Sequence, residues 1–113
     1  MPHAVVEYSN GLEPYIDQKA IMQACHNSLL DSGQFGEKDI KVRLYACDYA
    51  LVAGQGADFI HVTVYMLSGR TDAIKKDIAS KLTAAIKCFA LPVASLSVDV
   101  RDMNREVYSK ITS

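Results

Sequence analysis

The strict alternation of apolar and polar side chains in residues 59–67, FIHVTVYML, constrains the fold more than any other feature. A period of two is typical of a β-strand that is buried on one side only. Residues 40–46, IKVRLYA, and residues 95–101, SLSVDVR, alternate in the same way. The segment AVVEY near the start is β-branched and aromatic, which also favours a strand. The chain is therefore predicted to contain four strands.

Two segments with helical periodicity lie between these strands. The first is predicted to begin at Pro14, which suits a first helical turn, and to end near Gly33. The second is predicted to begin after Thr71, a candidate N-cap, and to run until Leu91-Pro92 stops it. Their apolar residues recur every three to five positions: Ile16, Ala20, Ile21, Ala24, Cys25 and Leu29, then Ile74, Ile78, Leu82, Ile86 and Phe89.

The resulting order, β-α-β-β-α-β, predicts an α/β (α+β) fold made of two similar halves. HAVVEY in the first strand is echoed by HVTVYM about 58 residues later. Two right-handed β-α-β units give a four-stranded mixed sheet with both helices on one face. The chain has the length of one ordinary domain, and we expect residues 1–113 to form it.

The other face of this sheet is predicted to be polar and aromatic. Such a face is either solvated, as in many α+β proteins, or occupied by a subunit interface or a binding site. Its tyrosines favour an interface or a site over open water. The predicted members are His3, Glu7, Lys41, Arg43, Tyr45, His61, Thr63, Tyr65, Ser97, Asp99 and Arg101.

Composition excludes several classes of function. Half of the residues are apolar and the net charge is −1, which predicts neither a nucleic-acid partner nor a disordered acidic chain. We expect no membrane segment and no signal peptide, and three scattered cysteines suit reduced thiols and the cytoplasm. The glycines of AGQGAD do not form a phosphate-binding loop and favour a hairpin-like turn. No compact spacing of histidines or cysteines predicts a metal site.

Pro2 is the candidate reactive group. Removal of Met1 is expected before a residue as small as proline, and it would leave a secondary amine at the chain terminus. An α-amino group has a pKa near ~8, which apolar burial and nearby cations lower toward the value of a general base at neutral pH. The strand that follows would hold this amine rigidly. The alternative is that Pro2 is a second residue without consequence, as in many chains that begin Met-Pro.

Several features together resemble the tautomerase superfamily and, within it, the 5-carboxymethyl-2-hydroxymuconate Δ-isomerases. They are the initial MPH-x-V-V-E strand, the two similar halves, the strand IKVR, the segment DFIHVT and SGRT before the second helix. The likeness extends from Pro2 to about Val100.

This resemblance implies a homotrimer without metal or organic cofactor. Its proline would move a proton between two carbons of a small unsaturated, dicarboxylic enol or dienol acid, as in the catabolism of aromatic compounds. By position, Pro2 would be the catalytic base and acid, and Arg70, Arg43 and Lys41 would bind the carboxylates. Lys41 stands where the family pattern has arginine, so the planar fork is lost there.

Alternatives remain open at this point. The same proline could serve keto-enol tautomerisation of an aryl pyruvate or decarboxylation of a 3-oxo acid. A non-catalytic oligomeric binding module would use the polar sheet face for subunit contact only. The three cations could also be ordinary solvated charges.

Overall fold

The computed structural model describes residues 1–113, and four strands and two helices form its framework. The strands are β1 (His3–Ser9), β2 (Lys41–Cys47), β3 (Phe59–Leu67) and β4 (Ser95–Met103). The helices are α1 (Gln18–Asp31) and α2 (Asp72–Lys87). Short 3₁₀ turns occupy Asn10–Leu12, Glu37–Asp39 and Arg105–Val107.

The strands form one mixed sheet in the order β2-β1-β3-β4. β1 is parallel to β2, β3 is parallel to β4, and the two central strands are antiparallel to each other. Each parallel pair is connected through a helix, as a parallel pair requires a crossover. The predicted mixed sheet built from two β-α-β units is confirmed.

One face of the sheet and both helices enclose the core. Ala4, Val6 and Tyr8 of β1 are buried together with the even-numbered residues of β3, which confirms the predicted alternation. Each helix contributes every fourth residue over two turns, a spacing that amphipathic helices use. These helical core residues are Ile21, Cys25 and Leu29 of α1 and Ile78, Leu82 and Ile86 of α2.

The opposite face carries the predicted polar and aromatic residues. The strand register sets His3 beside Lys41 on one side and Tyr65 on the other, and it aligns Thr63 with Asp99. Tyr45 and Tyr65 are exposed on this face. No helix of the chain covers it.

The helix boundaries differ from the predicted ones. α1 begins at Gln18, because the extended Asp17 is its N-cap and accepts a hydrogen bond from Ala20 N at 3.1 Å. Pro14 instead lies in a turn closed by hydrogen bonds to Leu12 O. α2 starts after Thr71 as predicted but ends at Lys87, before the left-handed residue Ala90.

AGQGAD contains the hairpin-like turn that its glycines indicate. Val52 and Gln55 exchange two backbone hydrogen bonds of 2.9 and 3.0 Å across Ala53 and Gly54, whose φ angles are both positive. Such angles are typical of a tight hairpin turn, where glycine is favoured. The turn does not pair β2 with β3, because β1 lies between them. None of the helices is long and apolar enough to cross a membrane.

Ile78→Ala should destabilise the fold by about 2–5 kcal/mol, because the site is fully packed in the core and the lost methyl groups leave a cavity. The matched control is Ile111→Ala in the exposed tail, where a change within about 0.5 kcal/mol is expected. Urea unfolding of both variants measures this difference. Equal stability of the two would contradict the packing described for α2.

Candidate active site at the N-terminus

The N-terminal residues Met1 and Pro2 lie directly before the first residue of β1. Pro2 is fully buried, and its carbonyl accepts a hydrogen bond from the backbone N–H of Lys41 at 3.1 Å. Because side chains alternate along a strand, the ring of Pro2 faces the helices together with Ala4 and Val6. The terminus therefore has a defined position beside the first residue of β2.

Arg70 reaches the same end of the sheet from the segment that follows β3. Its Nε donates to the side-chain oxygen of Gln34 at 3.0 Å, and Nη2 donates to the Gln34 carbonyl at 2.7 Å. The guanidinium also lies 4.8 Å from the ring centre of Phe35, a buried residue. These contacts fix the guanidinium plane while leaving part of its fork of donors without a protein acceptor. The remaining donors of an arginine fork match the geometry of a carboxylate.

The electrostatics of the terminus are dominated by burial and by four charged side chains. Burial lowers the pKa of the terminal amine of Met1, and the positive charges of Arg70, Lys110 and Lys41 lower it further. The carboxylate of Asp39 acts in the opposite direction. A neutral amine is the basic form, so burial and these cations favour the form that accepts a proton.

Lys41 and Arg43 project from the polar face of β2, as their spacing predicts. Lys41 Nζ donates to the Asp39 carbonyl at 3.1 Å, near the terminus. Arg43 lies one residue pair further along and donates from Nη1 to His3 Nδ1 at 3.1 Å. The structure thus brings Pro2, Lys41 and Arg70 together, while Arg43 is in contact with His3.

His3 is held in its neutral form by this arrangement. An arginine can only donate, so Nδ1 accepts from Arg43 and Nε2 carries the proton, facing the Tyr108 hydroxyl at 3.4 Å. Burial, followed by Arg43 and other nearby cations, lowers the pKa of His3. Its protonation would break the contact with Arg43.

Sequence reasoning missed Lys110, Asp39, Gln34 and Phe35. Lys110 Nζ donates to Asp39 Oδ1 at 3.0 Å and to Met1 Sδ at 2.7 Å. The tail has no periodicity that indicates such contacts. Gln34 and Asp39 lie in a loop whose composition signals only a connection.

None of the main cavities of the single chain lies at the N-terminus. The five main concavities lie along the helices and beside β2 and β4, and neither Pro2 nor Arg70 lines any of them. No group of three or more metal-ligating side chains is present. The terminus combines a buried Pro2, a Met1 amine of lowered pKa, and nearby cations that are held by hydrogen bonds.

The family described as 5-carboxymethyl-2-hydroxymuconate isomerase matches residues 2–112. The chain belongs to this family. As a member of the 5-carboxymethyl-2-hydroxymuconate isomerase family, it is an isomerase. No curated protein matches it significantly.

Solved structures show the same fold. A 5-carboxymethyl-2-hydroxymuconate isomerase from Deinococcus radiodurans R1 is 24% identical, with a TM-score of 0.84 over 99% of this chain and 90% of that one. A 5-carboxymethyl-2-hydroxymuconate delta-isomerase is 20% identical, with a TM-score of 0.77 over 100% and 89%. A fused 4-OT, a wild-type symmetric trimer, is 21% identical, with a TM-score of 0.80 over 96% and 90%. These likenesses confirm the tautomerase-like architecture predicted from the sequence.

In protein that retains Met1, the Met1 amine should titrate below its ordinary pKa of 8.0, as followed by NMR of Met1. Arg70→Ala should raise this pKa, because a positive charge that disfavours protonation is removed. Asp39→Asn should lower it, because the opposing carboxylate is neutralised. Arg101→Ala, which removes an arginine paired with Asp99, is the control and should leave the pKa unchanged. A fall on loss of Arg70 would contradict this account.

Proposed function

We propose that the secondary amine of Pro2 is the general base and then the general acid of a cofactor-free isomerisation. The substrate is a small unsaturated enol or dienol acid with at least two carboxylates, of the 5-carboxymethyl-2-hydroxymuconate type. One observation carries the proposal: the Met1-Pro2 terminus is anchored before β1, where burial and then the cations Arg70, Lys110 and Lys41 lower the pKa of the Met1 amine. Membership of the isomerase family supports the reaction class.

The proposal requires that Met1 be removed. In the sequence Met1-Pro2 the proline nitrogen belongs to a tertiary amide, which has almost no basicity. Removal of Met1 turns it into a secondary amine next to the same cations. The ring then fixes the direction of the lone pair, because it closes on the nitrogen and cannot rotate away.

The reaction is a proton transfer between two positions of one conjugated acid. The Pro2 nitrogen accepts a proton from the enol hydroxyl or from a carbon next to the carbonyl, and the electron pair left behind spreads into a dienolate. The prolinium then returns the proton to a different carbon, so that the double bond moves and no atom is gained or lost. A positioned base of moderate pKa contributes about 10²–10⁴-fold to such a step.

Arg70 is proposed to bind one carboxylate and to stabilise the negative charge of the dienolate. Its guanidinium is already oriented by Gln34 and Phe35, so little reorganisation is needed when the charge develops. Lys41 and Arg43 are proposed to act on the polar end of the substrate from the face of β2. Lysine at position 41 is a point charge without a planar fork, which suits a less strictly oriented carboxylate.

A homotrimer is proposed as the active form. The polar sheet face has no cover within the chain, and it exposes Tyr45 and Tyr65. None of the five main cavities of the single chain is lined by Pro2. Packing of three copies through these faces would bury the tyrosines, and neighbouring copies would enclose the site at Pro2. The similar fused 4-OT is a symmetric trimer, which supports this assembly.

We further propose a role in the catabolism of aromatic compounds in the cytoplasm.

Activity should depend on a processed terminus. Purified protein should lack one methionine by mass, and Pro2→Ala should lower kcat by about 10²–10⁴, because a primary amine differs in direction and basicity. Pro92→Ala, which changes the exposed proline after α2, is the matched control and should retain activity. Isomerisation of 5-carboxymethyl-2-hydroxymuconate, followed by absorbance, is the assay. The proposal fails if protein that retains Met1 is as active as processed protein.

The assembly should have three times the subunit mass of 12.4 kDa in native mass spectrometry. Thr63→Glu should dissociate it, because the new carboxylate would lie opposite Asp99 in the middle of the buried face. Ser80→Glu, on the exposed side of α2, is the matched control and should leave the mass unchanged. A stable monomer at micromolar concentration would contradict the trimeric site.

A further inference from the structure

The C-terminal tail lies across the end of the sheet that holds the chain terminus. Arg105 Nε donates to the carbonyl of Ser68 at 2.8 Å, just after β3. The Tyr108 hydroxyl lies 3.4 Å from His3 Nε2, and Lys110 reaches Asp39 at 3.0 Å. Tyr108 and Lys110 are half-buried, whereas the residues beside them, Ser109 and Ile111, are exposed. The tail therefore presents Tyr108 and Lys110 to the site.

Lys110 is in direct contact with the residue that precedes Pro2. Its ammonium has two partners, Asp39 Oδ1 at 3.0 Å and Met1 Sδ at 2.7 Å. A thioether sulfur is a weak acceptor, so the second contact satisfies the ammonium poorly. The lysine thus has donor capacity directed at the position of the Met1 side chain.

Removal of Met1 changes the partners of Lys110. The carboxylate of Asp39 would still hold the ammonium in place. The space that the methionine side chain fills would then be bordered by the new Pro2 amine on one side and by the ammonium of Lys110 on the other. A substrate that gives its proton to Pro2 must enter this same space.

We propose that Lys110 binds one carboxylate of the substrate and so makes the site prefer dicarboxylic over monocarboxylic acids. The inference rests on the proposed function, because it takes Pro2 as the reactive terminus. Arg70 lies on the β3 side and Lys110 on the tail side of the N-terminus, so each can bind one end of a diacid. Asp39 is the positioning residue that orients Lys110.

A purely structural role for Lys110 is a poor account of these contacts. The side chains of Lys110 and Asp39 are 21% and 43% exposed, and pairs at such accessible positions contribute little to stability. The tail is also fastened independently by Arg105 and Tyr108. The placement of this cation beside the terminus is better explained by an anionic ligand.

The experiment compares two ligands that differ by one charge: hex-2,4-dienedioate and its monomethyl ester. Binding to protein that lacks Met1 is measured by titration calorimetry. Lys110→Gln should weaken binding of the diacid about 10–100-fold, which corresponds to the loss of one charge-assisted hydrogen bond, and should change binding of the ester less than about threefold. Lys110→Arg should keep the preference for the diacid. Lys87→Gln, at the far end of α2, is the matched control and should change neither.

Three results would overturn the inference: no preference of the unmodified protein for the diacid, no loss in Lys110→Gln, or equal losses for both ligands. A thermal unfolding midpoint within a few degrees of the unmodified protein shows that Lys110→Gln is folded. Binding is measured without turnover, so failure here is distinct from failure of the proposed function. That function is tested by the activity of protein that retains Met1.

Discussion

The position of β1 in the middle of the sheet is the constraint on which the rest of the structure depends. An N-terminal strand at a sheet edge would leave the chain terminus in solvent. Here β1 is hydrogen-bonded to β2 on one side and to β3 on the other, so its first residues are enclosed by the ends of both neighbours. The same pairing brings Lys41 and, through the end of β3, Arg70 to the terminus.

The charged groups around the terminus come from four separate parts of the chain. Lys41 belongs to β2, Asp39 to the turn before it, Arg70 to the connection after β3 and Lys110 to the tail. Arg70 is held by Gln34 and Phe35, whereas Lys41 and Lys110 both donate hydrogen bonds to Asp39. Contacts of both kinds hold these groups in place before a ligand binds, which is the condition for electrostatic preorganisation.

The sequence predicts the elements well and the site only in part. Residues 59–67 are predicted to the residue, because a strand buried on one side has a period that no helix shares. The start of α1 is missed because Pro14 fits a first helical turn, whereas the choice of Asp17 as the cap depends on the turn around Leu12. Lys41 and Arg43 are two residues apart on a strand, and this spacing alone predicts that they share one face of the sheet. Lys110 and Gln34 act through tertiary contacts of single side chains, and no local pattern indicates such contacts.

The central position of β1 also has a consequence during synthesis. The first strand leaves the ribosome long before its partners, since β2 begins at Lys41 and β3 ends at Leu67. At about 5–20 residues per second, the N-terminus waits for several seconds as an unpaired, accessible segment. An aminopeptidase acting on the nascent chain can reach Met1 in this interval, whereas in the finished sheet the bond to the buried Pro2 is much less accessible. The order in which the strands emerge therefore sets the time window for the proposed removal of Met1.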